Sequence, residues 1–207
     1  MGVEVTLFTL PEKCAVVDKT LNNRGNGQLL LHMNFLISEI RSGLPAELEI
    51  DSWKSDDYFS AADLVILEKT FESIQQNLHV LFNYLYDVSR GHDHLIYLLE
   101  LFAESGEQNL PRAALLGSQP TPDSAKATQG RPIGWSNIEQ TQQISKFLDK
   151  VDFDEMTARF KGFPKDRPFY KRRSDDALEG FYPRIRELKK LYSRASEFGL
   201  VVISILD

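Results

Sequence analysis

LVVISIL, residues Leu200–Leu206, is an apolar run broken only by one serine, dominated by β-branched side chains and preceded by Gly199. Seven residues are too few for a packed helix, and branching at Cβ favours pleated backbone. The run therefore predicts a strand buried on both faces. At the other end of the chain Val3, Val5 and Leu7 alternate with Glu4 and Thr6. That period of two predicts a second, half-buried strand. The fold class that follows is α/β: a small mixed β-sheet that includes the N- and C-terminal strands, flanked by many helices. A chain of 207 residues is long enough for one full-sized core, and no linker divides it, so a single domain over 1–207 is expected.

Helices fill the space between those strands. Pro11 suits the first turn of a short helix to about Leu21, and 28–41 places Leu29, Met33, Leu36 and Ile40 on one stripe. From Ser60, threes and fours link Leu64, Leu67, Phe71, Ile74, Leu78, Leu81, Leu85 and Val88. This predicts one helix about 40 Å long. Its stripe is wider than a coiled-coil seam and lacks flanking charges, so a core helix is preferred to a partner helix. A further helix is expected over 93–104. The segment 117–131 (GSQPTPDSAKATQGR) has nothing to bury and predicts a long loop, followed by a short strand near 131–135. Ser136 with Glu139 suggests a capping box opening a helix to Asp149, and Asp152 with Glu155 opens a shorter one. Pro183 must break or kink a last helix over 176–198, and Gly199 is placed to end it.

Composition narrows the function classes. A net charge of −6 disfavours wholesale nucleic-acid or anionic-membrane binding. The single cysteine, Cys14, permits no intramolecular disulfide and no four-thiolate zinc site. No apolar stretch reaches the length of a spanning helix, and MGVEVTLF does not read as a secretory leader, so a cytoplasmic setting is expected.

The order of features resembles the YfbM-like family, bacterial proteins grouped as a domain of unknown function. The matching motifs are MGVEV at the start, LIYLLEL (95–101), AALLG (113–117) and Gly130–Pro132 before SNIEQTQQISKFL. DEMTARF (154–160) and LKKLYSRASEFG (188–199) with the closing apolar strand complete the order. The resemblance implies a layered α/β sandwich and a bacterial cytosolic setting, and it implies no activity.

Patterns that carry chemistry are scarce. His92-Asp93-His94 invites a metal, but on a helix histidines two apart diverge by about 200°. A helix capped by Asp93 with surface histidines is the preferred reading. His32 and His79 are isolated, and no metal site is assigned. Nucleophile elbows and phosphate loops are absent, so no catalytic residue and no cofactor is assigned. Cys14 beside Val16 and Val17 is read as inert.

One asymmetry stands out. Residues 161–194 carry eleven Lys/Arg against five Asp/Glu, whereas 1–160 carry thirteen against twenty-three. Lys171, Arg172 and Arg173 form its densest run, and Arg186, Lys190 and Arg194 repeat at i, i+4 and i+8. Like charges stacked on one face repel unless an anion or acidic surface offsets them. Phe163, Phe169 and Tyr170 lie among the loop charges as a stacking surface would. The simpler reading is that these charges pair with the acidic remainder of the same molecule. As a site, the segment predicts a non-catalytic interaction protein that contacts an acidic protein or anionic ligand. The alternative is an enzyme acting on a phosphorylated or anionic small molecule, in a pocket between the 117–131 loop and the strand ends.

Overall fold

The structure is a computed structural model, and it describes residues 5–22, 29–30, 32–33, 36–37, 54, 59–77, 83–86, 91–120, 133–169 and 175–206. The closing run forms a strand as expected. This is β5 (Leu200–Leu206), which pairs with β1 (Val5–Pro11) on one side and β4 (Ile133–Ser136) on the other. Beyond them lie β2 (Asn83–Tyr86), on β1, and β3 (Gln119–Pro120), on β4. The order is β2-β1-β5-β4-β3. All four pairings are antiparallel, so among the described residues the sheet is not mixed. Leu200 to Ile205 are all buried, and so are Val5 to Leu10. Both faces of the two middle strands are therefore covered, which explains the absence of polar alternation in β5.

Around the sheet run α1 (Ala15–Val17), α2 (Ala61–Asn77), α3 (His92–Glu100), α4 (Leu110–Leu116), α5 (Ile138–Asp149), α6 (Phe153–Arg159) and α7 (Tyr182–Glu197). Helical residues also occur at 29–30, 32–33 and 36–37, where Leu29, Met33 and Leu36 are buried as the stripe requires. Ile40 lies outside the described residues. Pro11 ends β1 rather than opening a helix, and α1 continues into a π-helical turn, Asp18–Asn22.

The long helix expected to reach Val88 is helical over Ala61–Asn77, and residues 78–82 lie outside the described residues. Asn83–Tyr86 instead pairs with Val5 to Phe8. Spacing alone did not separate the two outcomes, because Leu85 continues the helical stripe. Tyr-Leu-Tyr also suits a pleated surface, and pairing here covers the backbone edge of β1. Upstream the reading holds: Leu67 and Ile74 are fully buried, and Ser60 and Asp63 cap each other, Asp63 Oδ2 accepting from Ser60 Oγ at 2.7 Å.

The helix near residue 93 begins one residue early. Gly91 is its N-cap, with no side-chain cap bond, and Asp93 sits in the first turn. Pro183 acts as a boundary as expected: Asp175–Phe181 is a 3-10 turn, and the proline occupies the first turn of α7, where its missing N–H costs nothing. Gly199 then turns the chain into β5 with φ +62. Among the described residues no helix is long and apolar enough to cross a membrane.

Candidate functional site

The end of α4 meets β4 at unusually short range. Gly117 leaves the helix at φ 79, ψ 154, a conformation that is essentially restricted to glycine. A Cβ on Gly134 would stand 1.8 Å from the carbonyl oxygen of Leu116, and one on Gly117 would stand 2.3 Å from the Trp135 nitrogen. Two bare glycines thus let a helix terminus lie against strand backbone. Ser204, in the middle of β5, fastens the arrangement from beneath by donating from Oγ to the Leu115 carbonyl at 2.6 Å.

Directly above this crossing opens a cleft of about 650 Å³ between α4, β3, β4 and the start of α5. Its apolar lining comes from Leu110, Ala113, Leu116, Ile133 and Leu206. Its polar lining includes Ser118, Gln140 and Gln143, with the exposed Arg112 at the rim. The helix behind it starts at Asn137, whose side chain accepts from the Gln140 N–H at 2.9 Å, while Gln140 Oε1 accepts from the Asn137 N–H at 3.0 Å. This is the expected capping box displaced by one residue. Ser136 is not the cap because it ends β4, where its Oγ accepts from the Ser118 N–H at 3.1 Å. Gln140 Oε1 also accepts from Gln119 Nε2 at 3.1 Å, which leaves the Gln140 amino group as its remaining hydrogen-bonding function.

Ser118 Oγ lies 3.0 Å from Ser136 Oγ. A hydroxyl beside another hydroxyl is not activated as a nucleophile, which requires an adjacent base. Among the described residues no three His, Cys, Asp or Glu side chains gather to hold a metal. Arg112 is exposed and has no ion-pair or hydrogen-bond partner among the described residues.

The basic segment is arranged differently from its sequence appearance. Lys171, Arg172, Arg173 and Tyr170 lie outside the described residues. Arg186 lies over the Phe153 ring at 4.9 Å. Lys190 pairs with Glu187 at 2.8 Å, and Arg194 is exposed near the end of α7. The structure therefore spreads Arg186, Lys190 and Arg194 along one helix without converging them on a cavity. Arg167 grips Glu100 through both terminal nitrogens, and this raises its already high pKa. Lys189 donates to the Val151 carbonyl at 2.9 Å.

Phe163 and Phe169 are half-buried and do not form an open stacking surface. Both pack on His94, with centroid separations of 4.7 and 4.2 Å. His94 is itself fully buried, which corrects its expected surface position. Phe163, Phe169 and Phe181 pack around its ring, and Leu95, Leu98 and Leu99 draw this side of α3 into the core. Cys14 is buried as well, and desolvation pushes its thiol up to about 11, consistent with an inert side chain.

Sequence reasoning placed a pocket near residue 117 but did not single out Arg112, Gln140 or Gln143. The available signal was Gly117, the glycine that closes AALLG. A glycine that must end a helix against a strand also marks where backbone, rather than side chains, forms a cleft floor.

Comparison with known proteins gives a family model, described as a domain of unknown function (DUF1877), that matches residues 47–205. The match takes in β2 to β4 and nearly all of β5, and leaves β1 outside. The crystal structure of a protein of unknown function, YfbM from Escherichia coli, is similar at 14% identity with a TM-score of 0.46. The similarity covers 72% of this chain and 96% of that one. No curated protein matches.

Proposed function

Because the chain belongs to the DUF1877 family, a YfbM-like group of unknown function, its role has to be argued from its own cleft, and we propose that it binds a small anionic molecule there. The observation that carries this reading is Arg112. It stands at the mouth of a preformed cavity with no partner among the described residues, and among those residues no carboxylate lines the cavity to neutralise it. By contrast Arg159, Arg167, Lys150 and Lys190 are each paired with a carboxylate. A cation left open beside hydroxyl and amide groups favours an anion over a neutral or cationic ligand. The size of the cavity falls within the range of small-molecule sites.

The experiment is to isolate the protein from cells under native conditions and identify released small molecules by mass spectrometry, in parallel with Arg112→Glu. An anionic compound retained by the parent and lost in the variant is the expected result. An equal yield from both proteins would refute the assignment to this cleft.

A second reading keeps residues 161–194 as a surface for an acidic protein. It is supported by Arg194, which is exposed with no ion-pair partner among the described residues. Charge reversal at Arg172, Arg173 and Arg194 would then weaken binding of that partner, more steeply at low salt. Unchanged binding counts against it.

A further inference from the structure

We infer that the anion taken by the cleft is a monocarboxylate with an apolar body, an inference that rests on the anion reading above. Phosphate sites commonly rely on several cations or on a nest of unoccupied backbone N–H groups. Here three backbone donors beside the polar lining, among the described residues, are already engaged within the chain. The Gly117 N–H donates to the Ala113 carbonyl at 2.9 Å, and Ser118 N–H to Ser136 Oγ at 3.1 Å. The Gln140 N–H donates to Asn137 Oδ1 at 2.9 Å. Ser204 Oγ, at the floor, is committed to Leu115.

Among the described residues, what remains for a ligand is one planar guanidinium, the Ser118 hydroxyl that it shares with Ser136, and side-chain amides. A single guanidinium fork matches the two coplanar oxygens of a carboxylate and its single charge. It leaves a phosphate dianion, with three terminal oxygens and nearly twice the charge, under-coordinated. The orientation of Gln140 supports the same choice. The Asn137 N–H can only donate, so the Gln140 oxygen must face it, and the amide offers the ligand a donor. The same cleft is also lined by Leu110, Leu116, Ile133 and Leu206, whose side chains have no polar atom to satisfy. A carboxylate bound at the rim therefore lays its remaining atoms against hydrocarbon.

The test is titration of the full chain by calorimetry with acetate, butyrate, hexanoate, hexanamide, hexyl phosphate and inorganic phosphate, repeated with Arg112→Gln. Arg112 makes no hydrogen bond or ion pair among the described residues that folding would miss. The expected affinity rises roughly three- to fourfold per added methylene along the carboxylates. Hexanoate should bind at least about tenfold more tightly than hexanamide, a preference that Arg112→Gln should remove.

Tighter binding of hexyl phosphate or phosphate than of hexanoate, still weakened by Arg112→Gln, overturns the carboxylate assignment while the anion reading stands. Equal binding of hexanoate and hexanamide overturns both. Equal binding of acetate and hexanoate removes the apolar body from the inference. Failure of every carboxylate to saturate overturns the inference outright.

Discussion

Replacing Gly134 by alanine should be among the most destabilising single-methyl additions in this protein. The new Cβ would lie 1.8 Å from the Leu116 oxygen, and both atoms belong to, or are fixed by, backbone. Ordinary contact at 3.4 Å requires the end of α4 and β4 to separate by about 1.6 Å. Such overpacking costs about 1–3 kcal/mol. The displacement also strains the hydrogen bond from Ser204 to Leu115 and the one from Ser118 to Ser136, which adds about 1 kcal/mol or more. A total of about 2–4 kcal/mol lowers Tm by roughly 4–16 °C in a chain of this size.

Two other glycines serve as controls. Gly106 has φ +96 but nothing within 4 Å of its added Cβ, so alanine there costs only the backbone term, about 1–2 kcal/mol. Gly180 has neither constraint, and alanine should be neutral or stabilise by up to about 1 kcal/mol. Urea unfolding followed by circular dichroism ranks the series. If Gly134→Ala falls within about 1 kcal/mol of Gly180→Ala, the close crossing of α4 and β4 does not exist and the cleft floor is wrong.

Three further outcomes are expected. Asn137→Ala removes the cap of α5 and the reciprocal restraint on Gln140. It should cost about 1 kcal/mol in urea unfolding and weaken ligand binding in the cleft. Cys14, buried with its thiol pushed up to about 11, should resist alkylation at pH 8, and its labelling rate in urea should follow the unfolded fraction; rapid labelling of the native chain would contradict its burial. The ion pair of Lys150 with Glu107, at 2.8 Å, holds the Glu107 carboxyl below its usual range and the Lys150 amine above its own. Its stabilisation is therefore present between the two ordinary pKa values. It fades as pH falls through the lowered Glu107 value or rises through the raised Lys150 value. Lys150→Met should flatten the acid limb of a stability–pH profile, with salt shrinking the difference because both groups are near the surface.

Several elements were legible in the sequence because one local signal fixed each of them. β-Branching and lack of alternation marked β5, Asp152 marked the start of α6, and Pro183 marked the start of α7. Other elements depended on tertiary partners. Asn83–Tyr86 is a strand because β1 has an edge to cover, although its leucine also fits the helical stripe of α2. His94 is buried because Phe163 and Phe169, some seventy residues away, fold back onto it. The cleft was legible only as a location. Its polar lining combines Arg112, Ser118 and Gln140, which no sequence spacing joins, and the glycine pair beneath it shows up only once α4 and β4 are placed together.

The position of β5 has a consequence for how the sheet is assembled. It is the middle strand of five, yet it is the last of them to leave the ribosome. Until it does, β1 and β4 have no common neighbour, and the nascent chain holds two unjoined halves with bare edges. Closure then pairs residue 5 with residue 206, the longest loop the described strands allow. Such non-local pairing slows folding and leaves the apolar surfaces of β1 uncovered on that side until β5 arrives. Loss of the last eight residues would thus divide the sheet rather than trim it.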